Sequence, residues 1–251
     1  MPDTPGDGGD NDAVDLFQEP EGYYQPDKAP TFTQYTLKNG QSLSLRLGHL
    51  LWNAAQVITS FLEDHAEKYI TNKVVLELGA GAGLPSLACA ARGASTVVVT
   101  DYPDPDLVAN LQYNVDHCGL AFSNTRVVIH GYLWGSPTDE IKSALPTGAS
   151  DFDVLILADI LFNHSEHEKL IKTLSECLSK KPESAALVFF TPYRPWLLQK
   201  DLAFFDLARA NGFTVTKMLE HTMDKVMFDE DPGDELLRRT VFGYEVTWSS
   251  S

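Results

Sequence analysis

The sequence predicts an α/β fold with a mostly parallel sheet and helices on both of its faces. Seven apolar segments alternate with segments of helical periodicity, the arrangement that βαβ units produce. A glycine-rich loop follows the first of these strands and leads directly into a helix. The last two strands lack an intervening helix, which predicts an antiparallel pair. The predicted strands span residues 74–78, 96–100, 126–130, 152–158, 185–191, 213–219 and 240–247.

The residues before the first of these strands are predicted to form a hairpin and a helix. Asn39 and Gly40 make the Asn-Gly pair that is typical of a two-residue hairpin turn. The alternating leucines after it, Leu43, Leu45 and Leu47, indicate a half-buried strand. Apolar residues at helical spacing then predict a helix over residues 49–68. Further helices are predicted at residues 84–92, 106–117, 165–178 and 196–211.

The glycine loop at residues 79–83 indicates a nucleotide-type ligand. It follows an apolar strand and precedes a helix, whose first N–H groups lack partners within the helix. Glycine there lets the backbone approach a ligand closely. The spacing is G-x-G-x-G, and Leu84 stands where the dinucleotide fingerprint requires Gly or Ala, which disfavours NAD and FAD. Asp101 lies 22 residues after Gly79 (101 − 79), a separation suited to binding ribose hydroxyls.

Four segments of the chain carry a resemblance to a known family. They read LELGAGAGLPS at 76–86, TDYPD at 100–104, YLWG at 132–135 and ADILFNHSEH at 158–167. They resemble the seven-β-strand methyltransferases that use S-adenosyl-L-methionine. They are most similar to fungal enzymes formerly described as nicotinamide N-methyltransferase-like and now regarded as protein N-terminal and lysine methyltransferases of translation elongation factor 1-alpha. The likeness covers most of residues 20–248.

The resemblance implies a Rossmann-like seven-stranded sheet of order 3-2-1-4-5-7-6 with strand 7 antiparallel. It also implies that S-adenosylmethionine binds along the carboxyl ends of the strands. The implied cofactor-binding residues are Trp52, Glu77, Gly79, Ala80, Gly81, Asp101, Trp134 and Ala158. From the residues alone, core packing is the favoured interpretation of Trp52 and Trp134. Glu77 could reach the methionine amino group or only cap the amides of the loop.

The predicted acceptor site follows the strand at residues 152–158. Related lysine methyltransferases carry D-x-x-Y or D-x-x-F at this place, which assigns catalytic roles to Asp159 and Phe162. A carboxylate can hold an ammonium group, and an aromatic ring can flank a cation. The other interpretation is a cap of the next helix, with Asn163 or Ser165 at its start and Glu168 completing a capping box with Ser165. Both interpretations can hold at once, since a cap does not occupy Asp159.

Two further groups near this segment have competing interpretations. His164 and His167 could serve as bases, although histidines at the start of a helix are more often structural. The residues at 191–194 end the fifth strand and could line a peptide groove, or form only a proline turn. The sequence alone leaves both choices open.

The net charge of the chain restricts which binding partners are expected. The net charge is −16 at pH 7, and residues 1–30 hold eight acidic residues and one lysine. Such a surface repels phosphate backbones, so direct nucleic-acid binding is not expected. A basic protein substrate, by the resemblance translation elongation factor 1-alpha, is compatible with this charge. The alternative is that the charge only maintains solubility.

The predicted organisation is an acidic disordered tail at residues 1–18 and one methyltransferase domain with an N-terminal extension at residues 19–251. The three cysteines show no metal-binding or disulfide spacing, and Cys89 is expected in the core. Neither a signal peptide nor a membrane span is expected, since no apolar run is long enough. We therefore expect a cytoplasmic monomer that binds no metal.

The function that these observations predict is S-adenosylmethionine-dependent methylation of a protein N-terminal α-amine and an adjacent lysine. The first alternative is a methyltransferase of the same fold that acts on a small amine such as nicotinamide. The second is a binding module that has lost catalysis, which the intact acidic residues Glu77, Asp101 and Asp159 disfavour.

Overall fold

The computed structural model describes residues 31–48, 50–122 and 124–249, so the tail predicted at 1–18 lies outside the described residues. The strands are β1 (Thr31–Thr36), β2 (Ser42–Leu47), β3 (Val74–Leu78), β4 (Thr96–Asp101), β5 (Arg126–Gly131), β6 (Val154–Ala158), β7 (Ala185–Phe190), β8 (Phe213–Thr222) and β9 (Thr240–Trp248). The helices are α1 (Asn53–Asp64), α2 (Ala66–Tyr69), α3 (Leu84–Ala91), α4 (Pro105–His117), α5 (Asp139–Lys142), α6 (His167–Cys177), α7 (Leu198–Ala210) and α8 (Glu235–Arg238). Short 3-10 helices at His164–Glu166 and Pro195–Leu197 precede α6 and α7.

Seven strands form the main sheet in the order β5-β4-β3-β6-β7-β9-β8. The strands from β5 to β7 pair in parallel, whereas β9 is antiparallel to both β7 and β8. When the strands are numbered from β3, this order is 3-2-1-4-5-7-6. The predicted fold class and the predicted antiparallel pair are therefore confirmed.

The central strands are buried because helices cover both faces of the sheet. All five residues of β3 and all six of β7 are buried. Alternate side chains of β3 and β6 belong to two different clusters, one packed against α6 and α7 and the other against α1 and α3. This explains the continuous apolar runs of these strands, as expected for parallel strands covered on both sides. Cys89 lies fully buried in α3, as predicted.

The strands β1 and β2 form a separate hairpin that packs against α3 and α4. The leucines of β2 alternate inward, which confirms the predicted half-buried strand. The turn is longer than the two-residue form: Leu37 N donates to Gln41 O, and Gly40 N donates to Leu37 O. Gly40 adopts a positive φ of 85°, which explains the need for glycine there.

The helix predicted over residues 49–68 is shorter than expected and interrupted. Trp52 has an extended backbone, with ψ of 145°, and α1 begins only at Asn53. His65 leaves the helical conformation and separates α1 from α2. The placement of Trp52 within a helix was therefore wrong, and the physical reason is the contact made by Asp159 that is described below.

Among the described residues, no helix is both long and apolar enough to cross a lipid bilayer.

Candidate active site

The candidate site lies along four neighbouring strand ends. Parallel strands place their carboxyl ends at one edge of a sheet, and β4, β3, β6 and β7 are consecutive neighbours. Asp101 ends β4, and Gly79 follows β3. Asp159 follows β6, and Thr191 follows β7. Residues predicted from distant parts of the sequence are thus brought to one edge.

The glycine loop after β3 requires its glycines for two different reasons. Gly79 has a φ of 63°, and a Cβ atom there would lie 2.9 Å from Ile160 Cγ2 and 3.2 Å from the Trp134 ring. Gly81 has a φ of 57°, but a Cβ atom there would meet nothing within 4 Å. Ala80 N donates to Thr100 O at 2.9 Å, which ties the loop to β4. The loop is therefore closely packed at Gly79 and open at Gly81.

Asp101 holds the open part of this loop. One carboxylate oxygen accepts a hydrogen bond from Gly81 N at 2.6 Å, and the other accepts from Tyr102 N at 2.7 Å. Burial raises the pKa of Asp101, while these two hydrogen bonds oppose the rise. The predicted acid is therefore placed beside the glycine loop, and its bond to a ribose remains a prediction.

Glu77 is buried beneath the loop and faces the next helix. It accepts hydrogen bonds from Ser86 N at 3.0 Å and from the Ser86 hydroxyl. Ser86 lies in the first turn of α3, so Glu77 satisfies a helix N–H group that has no intrahelical partner. Burial raises the pKa of Glu77 from 4.5 to about 8. The structure thus shows a helix-capping contact, and contact with the methionine amino group remains a prediction.

Trp134 and Ala158 complete the part of the site around the loop. Trp134 is partly buried beside Gly79 and packs on the core between β3 and α6. The following Gly135 N donates to Thr173 Oγ1 at 2.9 Å, which fixes the segment after β5. Ala158 is partly buried at the end of β6. For Trp134 the core contact is therefore present, and stacking on adenine remains a prediction.

A cavity of about 250 Å³ lies beside the ends of β6 and β7. Three of the predicted site residues, Trp52, Asp159 and Phe162, line this cavity. The predicted residues of the glycine loop, Asp101, Trp134 and Ala158 do not line it. The other lining residues are Leu161, Phe190, Thr191, Tyr193, Arg194, Asp201, Phe228 and Asp231. The structure thus divides the predicted site into two neighbouring parts.

Asp159 organises the cavity wall. Its carboxylate accepts hydrogen bonds from Ala54 N at 3.0 Å, Thr191 N at 2.7 Å and the Tyr193 hydroxyl at 3.2 Å. Burial raises its pKa from 3.8 to about 6. Asp159 also has a φ of 54°, a conformation that L-residues rarely adopt. Its bond to Ala54 caps α1, which explains why the helix begins at Asn53.

The capping alternative for residues 163–168 was wrong. Asn163 makes no side-chain cap bond, and its Oδ1 instead accepts from the Ser165 hydroxyl at 2.8 Å. Helix α6 begins two residues after Ser165 without a side-chain cap. The helix that is capped in this region is α1, through Asp159.

Three aromatic rings form one wall of the cavity. Trp52 and Tyr193 have ring centroids 5.4 Å apart, Trp52 and Phe228 are 6.0 Å apart, and Tyr193 and Phe228 are 5.7 Å apart. All three pairs are edge-to-face, so the rings pack against one another and present a continuous surface. Phe162 is 58% exposed at the rim, and its carbonyl accepts from Arg194 at 2.7 Å.

The two histidines behind Phe162 have structural contacts. His164 Nε2 lies 2.7 Å from Asp201 Oδ1, and His167 Nε2 lies 2.9 Å from Leu161 O. Burial lowers the pKa of His167. These contacts hold the segment that carries Phe162, which favours the structural interpretation of both histidines.

Sequence reasoning missed four cavity residues: Phe190, Asp201, Phe228 and Asp231. Phe228 and Asp231 are the two that lie outside any helix or strand. Both lie in the connection between β8 and β9, where the sequence showed only an acidic segment between two strands. An aromatic residue directly before three acids was the available signal. Its meaning depended on packing against Trp52 and Tyr193, which no local pattern reveals.

The arrangement suits a cationic or amine ligand. Three carboxylates, from Asp159, Asp201 and Asp231, line the cavity together with one cation, Arg194. Aromatic faces and carboxylates both stabilise a nearby positive charge. Among the described residues, no group of three or more His, Cys, Asp or Glu side chains is placed to hold a metal ion.

Comparison with solved structures supports the fold. A magnesium protoporphyrin IX methyltransferase from Synechocystis, solved with S-adenosylmethionine, matches with a TM-score of 0.50 at 15% identity, covering 77% of each chain. A transferase structure from Pyrococcus horikoshii matches with a TM-score of 0.52 at 17% identity, covering 90% of this chain and 74% of that one. At such low identity these likenesses show the fold alone.

Comparison with protein families and curated proteins goes further. A family model described as lysine methyltransferase matches residues 31–210. The Protein N-terminal and lysine N-methyltransferase of Aspergillus fumigatus is 48% identical, over 94% of each chain. Its namesake in Schizosaccharomyces pombe is 42% identical, over 95% of this chain and 97% of its own. The chain therefore belongs to the lysine methyltransferase family, which confirms the predicted class of S-adenosylmethionine-dependent methyltransferases.

Proposed function

We propose that this protein methylates the N-terminal α-amine and an adjacent lysine of translation elongation factor 1-alpha. The observation that carries the proposal is the acidic, aromatic-walled cavity beside the glycine loop. The relatives at 42–48% identity are named for methylation of protein N-termini and lysines, which supports a protein acceptor. The resemblance noted from the sequence supplies the identity of the acceptor.

In this proposal the part of the site around the glycine loop holds the cofactor. The open space above Gly81 allows close approach of a ligand to the backbone, and Asp101 presents a carboxylate beside it. Trp134, Ala80 and Ala158 border the same region. When bound there, S-adenosylmethionine supplies an electrophilic methyl group. The contribution of these residues is to orient that group toward the cavity.

The cavity holds the acceptor amine in the same proposal. Phe162 and the wall of Trp52, Tyr193 and Phe228 flank the amine. Asp159 fixes that wall through Tyr193 and Ala54, and its negative charge favours the approach of an ammonium group. Because α-amines titrate near pH 8 and lysines near 10.4, an N-terminal amine reaches the neutral form more easily. Alignment of the neutral amine with the methyl group can contribute several kcal/mol, about 7–11 at most.

The alternative acceptor is a small amine of the nicotinamide type. A closed pocket would favour it, since small ligands are usually enclosed on most sides. The rim of this cavity carries the exposed Phe162 and Asp231 instead. An open acidic rim favours a protein segment over a small molecule.

A panel of acceptors tests the proposal. The purified protein is incubated with S-adenosylmethionine and one of three acceptors: elongation factor 1-alpha with a free N-terminus, the same protein N-acetylated, or nicotinamide. Mass spectrometry should find methyl groups on the α-amine and the nearby lysine of the first acceptor. Acetylation should abolish the α-amine modification, because an amide nitrogen lacks an available lone pair. Turnover of nicotinamide with neither protein modified would overturn the proposal in favour of the small-molecule alternative.

A further inference from the structure

The connection between β8 and β9, residues 223–239, forms the outer wall of the cavity. Its ends are joined where Met223 N donates to Arg239 O at 2.8 Å. Inside the connection, the buried Arg238 donates to Phe228 O at 2.7 Å. Asp234 caps α8 by accepting from Leu237 N at 3.1 Å. The segment that carries Phe228 therefore has a fixed backbone.

The connection also packs closely against the segment after β7, which forms the other side of the cavity mouth. A Cβ atom at Gly233 would lie 3.2 Å from Pro195 and 3.4 Å from the Trp196 ring, and Gly233 has a φ of 99°. The Phe228 ring closes the wall of Trp52 and Tyr193. The cavity mouth is thus built jointly by this connection and the segment after β7.

The charge at this mouth is strongly negative. Asp231 lines the cavity and is exposed, and Asp229 and Glu230 stand beside it. Within the described part of the chain, none of these three acids forms an ion pair. The cation in the cavity, Arg194, is bonded to the Phe162 carbonyl. Asp231 therefore offers a carboxylate to a ligand at the mouth.

Exposed apolar side chains lie on the same two segments as this mouth. Trp196 is 59% exposed and Leu236 is 55% exposed, and both lie on the segments that form the mouth. A mouth that carries both a carboxylate and exposed apolar side chains matches a lysine or arginine, whose apolar stem packs on apolar surface while its charged end binds an acid. The same acids would repel a nucleic-acid backbone.

We infer that the β8–β9 connection, through Asp231 and Phe228, selects acceptors that carry a cationic side chain next to the amine to be methylated. The inference rests on the proposed function in taking the cavity as the acceptor site. It adds that the β8–β9 connection recognises the residue next to the amine that is methylated. Phe228 bounds the cavity that receives the amine, and Asp231 at its mouth binds the adjacent cation.

Peptide binding tests the inference directly. Two fluorescent decapeptides with free N-termini differ only at the second residue, which is lysine in one and the neutral norleucine in the other. Binding by anisotropy is measured at low salt with protein saturated by S-adenosylhomocysteine. The variants are Asp231→Asn and, as the matched control, Glu230→Gln, which removes the same charge from a neighbour that does not line the cavity. Asp231→Asn should weaken binding of the lysine peptide about fivefold, which is the scale of one exposed charge pair. It should leave the affinity for the norleucine peptide unchanged.

A charge reversal strengthens the test, since Asp231→Lys should prefer a peptide with glutamate at the second position. Equal effects of Asp231→Asn on both peptides, or an equal effect of Glu230→Gln, would overturn the inference. So would a wild-type protein that binds both peptides equally. Methyl transfer to the same peptides is measured separately. Selective binding without transfer would refute the proposed function alone, whereas transfer without selectivity would refute only the inference.

Discussion

At the scale of single residues, Asp159 connects the candidate site to the fold. Its carboxylate accepts hydrogen bonds from Ala54 in α1 and from Thr191 and Tyr193 in the segment after β7, and these donors lie 105, 32 and 34 residues away in the sequence. Charged acceptors form stronger hydrogen bonds than neutral ones, so this buried carboxylate ties the end of β6 to two other segments at once. Asp159 is thus a positioning residue for Trp52 and Tyr193 as well as a source of negative charge.

Replacement of Asp159 should therefore affect stability as well as activity. In Asp159→Asn the amide group has one acceptor oxygen in place of two, so a buried donor loses its partner. The free energy of unfolding should fall by about 1–3 kcal/mol. Urea denaturation measures this change, and Asp206→Asn, at an 83% exposed side chain, provides a control with little effect. Unchanged stability combined with lost turnover would show that Asp159 acts only on the acceptor.

Glu77 should make the stability depend on pH. Its pKa is raised from 4.5 to about 8 in the folded protein, so the folded state binds the proton more tightly than the unfolded state. The contribution of Glu77 to stability should therefore be fully present below about pH 4.5 and should be lost as the pH rises through about 8, by roughly 3–5 kcal/mol. Glu77→Gln should flatten this part of the profile, measured by urea denaturation at several pH values. A wild-type profile that rises over the same range, and is unchanged in the variant, would contradict this assignment.

At the scale of elements, the glycine loop and the β8–β9 connection differ in the contacts that hold them. Contacts close in sequence hold the loop, whereas contacts with distant segments hold the connection. The loop follows a buried strand and is fixed by hydrogen bonds to Thr100 and Asp101, each of which spans 20 residues of sequence. The connection is held by Arg238 and by contacts with segments far away in the chain. The first could be predicted from a local motif, and the second could not.

Gly79→Ala tests the close packing of the glycine loop. The new Cβ atom would meet Ile160 Cγ2 at 2.9 Å and would also hold a φ of 63°. Gly40→Ala is the matched control, because its φ is 85° but nothing lies within 4 Å of the added atom. The control should cost about 1 kcal/mol of stability, and Gly79→Ala clearly more. Equal losses of thermal stability in the two variants would show that the loop accommodates the added Cβ atom at Gly79 without strain.

At the scale of the whole molecule, the sequence predicted the layers of the fold well and the acceptor site only in part. The strands β3, β6 and β7 were predictable because both of their faces are buried, which leaves continuous apolar runs. The start of α1 was not, because its cap comes from Asp159, 105 residues later in the chain. Phe228 and Asp231 were missed for the same reason: their role arises from contacts between distant segments.

The net charge of −16 should also influence how the whole molecule meets its substrate. Opposite charges speed association at low ionic strength, and salt screens them over about 8–10 Å. Association of a basic acceptor protein should therefore slow at least several-fold between 0.05 and 0.5 M NaCl, with a smaller change in the dissociation rate. Stopped-flow fluorescence measures both rates. An association rate independent of salt would leave the charge with a role in solubility alone.

The central claim is that the glycine loop binds the cofactor and the neighbouring cavity binds the acceptor. Calorimetric titration of S-adenosylmethionine and of an acceptor peptide into Asp101→Ala and Phe162→Ala tests this division most directly. Asp101→Ala should weaken cofactor binding by about 1–3 kcal/mol and leave peptide binding unchanged, because it removes the carboxylate beside the glycine loop. Phe162→Ala, at an exposed side chain on the rim, should weaken the peptide and leave cofactor affinity unchanged. Loss of cofactor affinity in Phe162→Ala, or none in Asp101→Ala, would contradict the claim.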